Sequence, residues 1–565
     1  MGPSPQPLVR GQASPVTDSE LLYEAVLPPY RREIMTATAD RLSRYTITAT
    51  FHSPGAPPEA TPQAMPMTGV EAGLVAPSDP QATITGTQEV HVVNDTGGSL
   101  SDLYLRLYPN LRQYGDGRMV VRDITVDGVP VVPEPPPLYS VPASTPVATP
   151  DAGSQDLILL RLPLANPLAP GASATLRLGF TTTVPLEPVD GTGPFVFMPD
   201  TGRWTLAHWF PILAGLDPAF GWETDPPAAW ADVTFSNTAL FDVTLTAPDD
   251  LVLVTTGVEV EGAVERLHQV RRFVSGPARD FAIVADPELA SVSTDVNGTR
   301  VVSYYQPQNA AGGAQILEWG AQALTIFSEL FGPYPYATLD LVAVPGVVGY
   351  EFPQLIFIGA DYYPDPLTSG SRPGAVEFLV AHEVAHQWWY GMVGNNPHRH
   401  AFLDEGLAEY ASFLYFERQH GVEATERHVN RGLRLPYATL VLTEGDQIVD
   451  QLSPAFSAEG TYVATVYWKA ALGFAALQDE VGDAAFFTGL KQYVATMRFD
   501  VAMPDDLQSA FEDASGQDLD AFWHLWFEIA RGRVEIVMDS VPASPTPATP
   551  VAGSRAPPMR STPVD

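Results

Sequence analysis

Near residue 288 the spacing of apolar residues changes, and neither a lone sheet nor a lone helical bundle can accommodate both halves. Before that point the apolar positions alternate. Leu103, Leu105 and Leu107 fall on one face at period two, as do Leu176, Leu178 and Phe180, and again Phe241, Val243 and Leu245. This is the signature of half-buried strands. The stretches "RYTITATF", "LVLVTTG" and "FAIVAD" continue it, and Asn-Asp-Thr-Gly-Gly at 94–98 reads as a turn between two strands. Beyond about 290, Leu317, Ala321, Leu324 and Phe331 form a helical stripe that stops at Gly332. "YATLDLVAVP" and "PQLIFIGA" return to strand. From Pro373, a favourable first helical residue, helices are expected over 373–393, 403–419 and 461–480, with shorter ones up to "DLDAFWHLWFEIARG". The fold class expected is α+β and multidomain: an antiparallel β-sandwich or saddle followed by a mainly helical domain. The expected divisions are a loosely ordered lead at 1–40, a β domain at 41–288, a mainly helical domain at 289–540 and a disordered Pro/Ala/Ser/Thr tail at 541–565. "VPASTPVATPDAGS" reads as a low-complexity surface loop.

Composition narrows the chemistry. At 565 residues the chain exceeds what one core organises. It holds 66 acidic against 30 basic residues, a net charge of -36, which repels nucleic acid and anionic membrane and draws cations. There is no cysteine, so disulfides, thiol catalysis and Cys-based metal sites are excluded. A metal site must use His, Asp and Glu. No apolar run approaches the about 20 residues of a membrane span, and the N-terminus has no apolar signal core. Pro/Thr-rich ends without cysteine fit an exported or cell-surface bacterial protein whose leader or anchor has been removed; the alternative is a cytoplasmic one. Composition does not speak to oligomeric state.

The chemistry-bearing stretch is "FLVAHEVAHQWWYG" at 378–391. A four-residue step leaves His382 and His386 about 40° apart around a helix axis, so both imidazoles can reach one ion. Glu383 lies one residue round the helix, beside that ion. A chance His-Glu-x-x-His in such a chain is on the order of one in a hundred. A third ligand is supplied by "FLDEGLAEYASF": Glu405 follows His386 after eighteen residues, an interval suited to a helix end, a loop and the first turn of a second helix. Glu409, one turn on, can accept from a ligand histidine. A solvated face is the alternative for both carboxylates, but Leu407, Ala408, Ala411 and Phe413 make that face mostly apolar.

These motifs resemble the aminopeptidase N-like zinc metallopeptidases, gluzincins that include leukotriene hydrolase. "HEVAHQWW", "FLDEGLAEY", "LFGPYPYATLDLVAVP" and "TVYWKAALGF" are similar to family segments, the last with Ala470 in place of a glycine, and the likeness runs over roughly 42–535. The resemblance implies a thermolysin-like catalytic domain and one Zn2+ per chain, bound by His382, His386 and Glu405. It also implies Glu383 as general base and Tyr467 as oxyanion donor. Tyr462 is the rival donor, and Lys469, one of two lysines, favours Tyr467 through the family's Tyr-x-Lys spacing. The family holds a free amino terminus on the glutamate of a Gly-x-Met-Glu-Asn segment. "VVGYEFPQL" stands at that place and keeps Glu351, while "RWTLAHWFPIL" matches the family's second amine-binding segment only through its Phe-Pro. Peptides are the implied substrates and aminopeptidase action the implied activity. A gluzincin endopeptidase or dipeptide-releasing enzyme, and a non-catalytic peptide-binding scaffold, are the alternatives. Larger members continue into a helical-repeat domain that this chain is expected to lack, leaving a more open cleft or one completed by a partner. His398 and His400 in "NNPHRH" fall between the two ligand-bearing helices.

Overall fold

The computed structural model describes residues 18–54, 81–135, 157–186, 193–227, 230–370 and 374–530. The low-complexity loop at 141–154, Pro373 and the tail lie outside them. The chain is an α+β, multidomain protein with a sheet-rich N-terminal region and a mainly helical region after it.

The N-terminal region is built on an eight-stranded sheet in which Ser43–His52 is central. Along that strand Tyr45, Ile47, Ala49 and Phe51 are buried while the residues between them are not, because successive side chains leave a strand on opposite faces. It pairs antiparallel with Ala82–Val93 but parallel with Ala239–Pro248, so one pairing departs from the antiparallel pattern expected. Parallel neighbours need a long connection, and the chain between these two strands forms two smaller sheets, part of a third and four more strands of the large one. The third, Arg203–Leu206 with Phe195–Met198, Ile283–Asp286 and Val252–Thr255, closes the core around Trp204 and Trp209.

The second region begins with the hairpin Ala290–Val296 and Thr299–Tyr305, which joins Thr338–Val344, Leu355–Gly359 and the short edge strand Gly349–Tyr350 in a mixed sheet. Helices cover it. Ala310–Phe331 buries Leu317, Leu324 and Phe331, leaves Ala321 half-buried, and ends at Gly332 with φ 111°. The expected helix over 373–393 is shorter, Ala375–Ala385, because Tyr390 at φ 119° turns the chain into a bridge between Trp389 and Val393. The helix expected at 403–419 is Glu405–His420. The segment expected at 461–480 runs from Glu459 to Val481, with π-helical turns at Val463–Lys469.

The expectation of a loosely ordered lead is corrected for residues 18–40. Asp18–Leu21 and Pro28–Thr38 are helices, and Tyr23, Val26 and Ile34 are buried in the core of the helical region. Val26 bridges to Tyr336, and the Arg31 guanidinium donates to the carbonyls of Glu24 and Val26. Pro28 begins its helix where a missing N–H costs nothing. Contacts distant in sequence, not local propensity, order this segment.

Candidate metal centre

The helix Ala375–Ala385 and the helix Glu405–His420 pack side by side, and the three ligand candidates meet between them. His382 Nε2 lies 3.0 Å from His386 Nε2 and 3.2 Å from Glu405 Oε2, which is 3.3 Å from His386 Nε2. Their ligand atoms all fall within 4.8 Å of one another, and all three residues are buried. Two imidazole nitrogens and a carboxylate oxygen converging on one point form a donor set that fits a divalent cation of the zinc type. The outer nitrogens are held from behind. His386 Nδ1 donates to the Trp389 carbonyl at 2.9 Å, and His382 Nδ1 approaches Glu409 Oε2 at 3.3 Å. Such partners fix which nitrogen faces the ion. Glu409 was legible from its spacing; the Trp389 carbonyl was not, since it depends on the turn after the helix.

Electrostatics follow from burial and proximity. Burial would push both imidazoles down, but the surrounding carboxylates outweigh it and hold His382 up at about 9 and His386 well above its ordinary value. Burial likewise opposes the charge on Glu405, yet the two histidines hold its carboxyl well below the usual range. Burial, then Glu351, raises Glu383 to about 8. Glu383 is 5% exposed and its Oε2 has no protein partner among the described residues. The edge strand approaches Glu383 so closely that a Cβ on Gly349 would collide with its carboxylate, which is why glycine precedes Tyr350 and Glu351.

A cleft of about 590 Å3 exposes this group to solvent. Glu351, Glu383, His382, His386, Glu405 and Tyr467 line it; Tyr462 does not, being buried against Phe456. Tyr467 stacks on the His382 ring at 5.9 Å and its hydroxyl donates to Glu405 Oε1. Burial, then Glu405, raises the phenol well above its ordinary value, so it stays protonated. π-Helical turns recur at functional sites, and here one carries Tyr467. Lys469 does not share in the cleft. Two residues on, it leaves the opposite side of the helix, is 0% exposed, and donates to Asp446 Oδ2 at 3.0 Å and the Gln447 carbonyl at 2.7 Å. Its role is to anchor the helix.

One lining residue escaped the sequence. Asp232 comes from the loop before Ala239–Pro248 in the sheet-rich region, and it lines the cleft beside Glu351. Burial, then Glu351, raises its carboxyl well above the ordinary value; burial also raises Glu351. Nothing in "AAWADVTF" marks it, and the segment carrying the Phe-Pro match is instead core, with Trp209 donating to the Phe281 carbonyl. His398 is buried and pushed down to about 4 by burial, and His400 pairs with Asp450 at 2.6 Å. Neither joins the ligand group. Their loop is clamped to the sheet-rich region: Asn396 Nδ2 donates to Asp217 and Glu223, and Arg399 donates to Glu223.

The site takes two histidines from the end of one helix and a glutamate from the first turn of the next. Residues 316–526 match the Peptidase family M1 domain. It is 26% identical over 317 residues to Aminopeptidase M1-A of Oryza sativa subsp. japonica, covering 53% of this chain and 34% of that protein. With Aminopeptidase M1 of Arabidopsis thaliana the identity is 28% over 312 residues, 51% of this chain and 34% of the relative. The match thus spans about a third of the length of these curated relatives. In structure the chain is similar to the M1 zinc metallopeptidase from Deinococcus radiodurans, with TM-score 0.59 and 19% identity over 90% of this chain and 96% of that one. A mutant of that enzyme bound to Tyr-Ser-Ala aligns with TM-score 0.55 and 18% identity over 86% and 94%. Among the described residues no helix is long and apolar enough to cross a membrane.

Proposed function

We propose that the chain is a zinc-dependent aminopeptidase that removes the first residue from peptides. The observation that carries this is the convergence of His382, His386 and Glu405 in a cleft that also holds Glu383, Tyr467 and the carboxylates of Glu351 and Asp232. The three ligands would hold zinc, which when bound polarises a carbonyl and acidifies water. Glu383, with one oxygen uncommitted, accepts the proton of the attacking water and passes it to the departing amine. Tyr467 donates to the oxyanion as charge develops, exchanging its bond to Glu405 for one that is strongest in the transition state. Glu351 and Asp232 sit where a free α-ammonium can form charge-assisted bonds to both, and they supply the second amine contact that the sequence did not reveal.

The test is a pair of peptide series, one with free and one with acetylated amino termini, assayed on the zinc-loaded chain with its metal content measured. Cleavage of free peptides alone, at one zinc per chain, is expected. Equal cleavage of acetylated peptides would make the protein an endopeptidase, and a metal-free, inactive protein would make it a scaffold.

A further inference from the structure

In the turn after the helix Ala375–Ala385, Tyr390 stands at φ 119°, a conformation that a bulky L side chain keeps only where its surroundings hold it. The peptide before it presents the Trp389 carbonyl to His386 Nδ1 at 2.9 Å and the Tyr390 N–H to the Val393 carbonyl at 2.8 Å. The peptide after it presents the Tyr390 carbonyl, which accepts from Arg279 Nε at 2.7 Å. Arg279 follows directly on the strand His268–Ala278 of the large sheet and is 2% exposed. Its Nη1 donates to the Ser236 carbonyl at 3.2 Å and its Nη2 to the Asp500 carbonyl. Burial brings the guanidinium down to about 10, which leaves it charged at neutral pH. One rigid fork thus ties the sheet-rich region to the turn and to the stretch after the helix Asp483–Met497. The fit is close: a Cβ on Gly394 would lie 2.0 Å from the Arg279 Cζ.

We propose that Arg279 is a positioning residue for the metal centre: by pinning the Tyr390 carbonyl it keeps the Trp389 carbonyl on His386, and so keeps His386 Nε2 turned toward His382 and Glu405. The proposal deepens the reading of that group as a zinc centre and rests on it. The φ of Tyr390 sets how the peptide that Arg279 grips is turned relative to the peptide that orients His386. With the guanidinium in place neither peptide swings to relieve the strain. Without it the second peptide is released, Tyr390 relaxes toward negative φ, and the Trp389 carbonyl is drawn off Nδ1. Loss of a group that orients a ligand histidine costs about 10–100-fold in metal affinity.

The experiment measures the zinc dissociation constant of the full chain by competition with a chromophoric chelator, and the visible spectrum of the Co2+-loaded chain. The variants are Arg279→Met and Arg279→Lys, each with and without Tyr390→Gly. Arg279→Met is expected to weaken zinc about 10–100-fold and to shift the Co2+ bands. Arg279→Lys keeps the buried charge but not the planar fork, so its loss should be smaller. Tyr390→Gly should restore most of the affinity in either background, because glycine takes φ 119° without strain; a residue that merely joins the two regions would show no such rescue. Circular dichroism establishes which variants fold, and should Arg279→Met not fold, the Arg279→Lys pair decides. Unchanged zinc affinity and Co2+ spectrum in the folded variants, or a loss that Tyr390→Gly does not restore, overturns the proposal and leaves the metal reading intact. A parent chain that takes up no zinc removes the metal reading and the proposal together. If the parent binds zinc but cuts no peptide, the same loss and rescue uphold the proposal while the aminopeptidase reading falls.

Discussion

The sheet-rich and helical regions contribute to the cleft in different ways. The helical region supplies the His382, His386 and Glu405 cluster from residues four apart at the end of one helix and the first turn of the next. The sheet-rich region supplies Asp232 from a loop more than 100 residues away from Glu351, 119 by count (351 − 232). One contribution is set by helix geometry, the other by how two regions dock. Local geometry leaves a repeating trace in sequence; docking does not. The clamp of Asn396 and Arg399 on Asp217 and Glu223 shows that the docking surface adjoins the loop between the ligand helices, so the two contributions are mechanically joined.

If chemistry resides in the helical region, its residues should give the largest losses. Glu383→Gln is expected to keep its zinc and lose roughly a thousandfold in kcat; near-normal turnover would remove the base from the scheme. Next in size is Lys469→Met, which takes the ammonium from the Asp446 carboxylate, in a site where neither side chain is exposed, and leaves it the neutral donors Tyr437 Oη and Gln447 N–H. An unpaired buried charge costs about 3–5 kcal/mol, so chemical denaturation should show a loss of that order. A loss under 1 kcal/mol would mean that the anchor is dispensable. Tyr467→Phe should lower kcat about 100-fold with little change in KM, and a pure KM effect would reassign the hydroxyl to binding.

The sheet-rich region sharpens the comparison with smaller effects. Asp232→Asn should raise KM for free-amine peptides about 10-fold and leave metal content alone, as one charge-assisted bond is lost. No change would reduce that region to a scaffold. The smallest effect concerns Asp280, whose carboxyl burial raises to about 7 from an ordinary 3.8. Because its folded value lies above its unfolded one, its contribution to stability is complete below pH 3.8 and disappears as pH climbs through 7. Asp280→Asn should flatten that limb, raising Tm at pH 8 by about 2–4 °C; equal pH dependence in both proteins would show that Asp280 does not govern it.

Much of this was readable without coordinates. The change of period announced a sheet-rich and a helical region, and the histidine and glutamate spacings picked out the three side chains that converge. Other features were not. Lys469 drew attention through its rarity, yet a two-residue step sends it away from the cleft into a buried ion pair. The Pro/Ser/Thr-rich opening looked unable to order, yet residues 18–40 bury Tyr23, Val26 and Ile34 against the helical core. Composition records what a segment offers, not what a distant partner covers.

The sequence by itself determined the convergent trio of His382, His386 and Glu405, the carboxylate of Glu383 next to it and the alternation of the strands, because each follows from the fixed pitch of a helix or the two-residue period of a strand. Only the tertiary structure decided that Asp232 stands beside Glu351, that the Trp389 carbonyl orients His386, and that Lys469 serves as an anchor. Those depend on where separate elements come to rest against one another, and packing of that kind leaves no period in the chain.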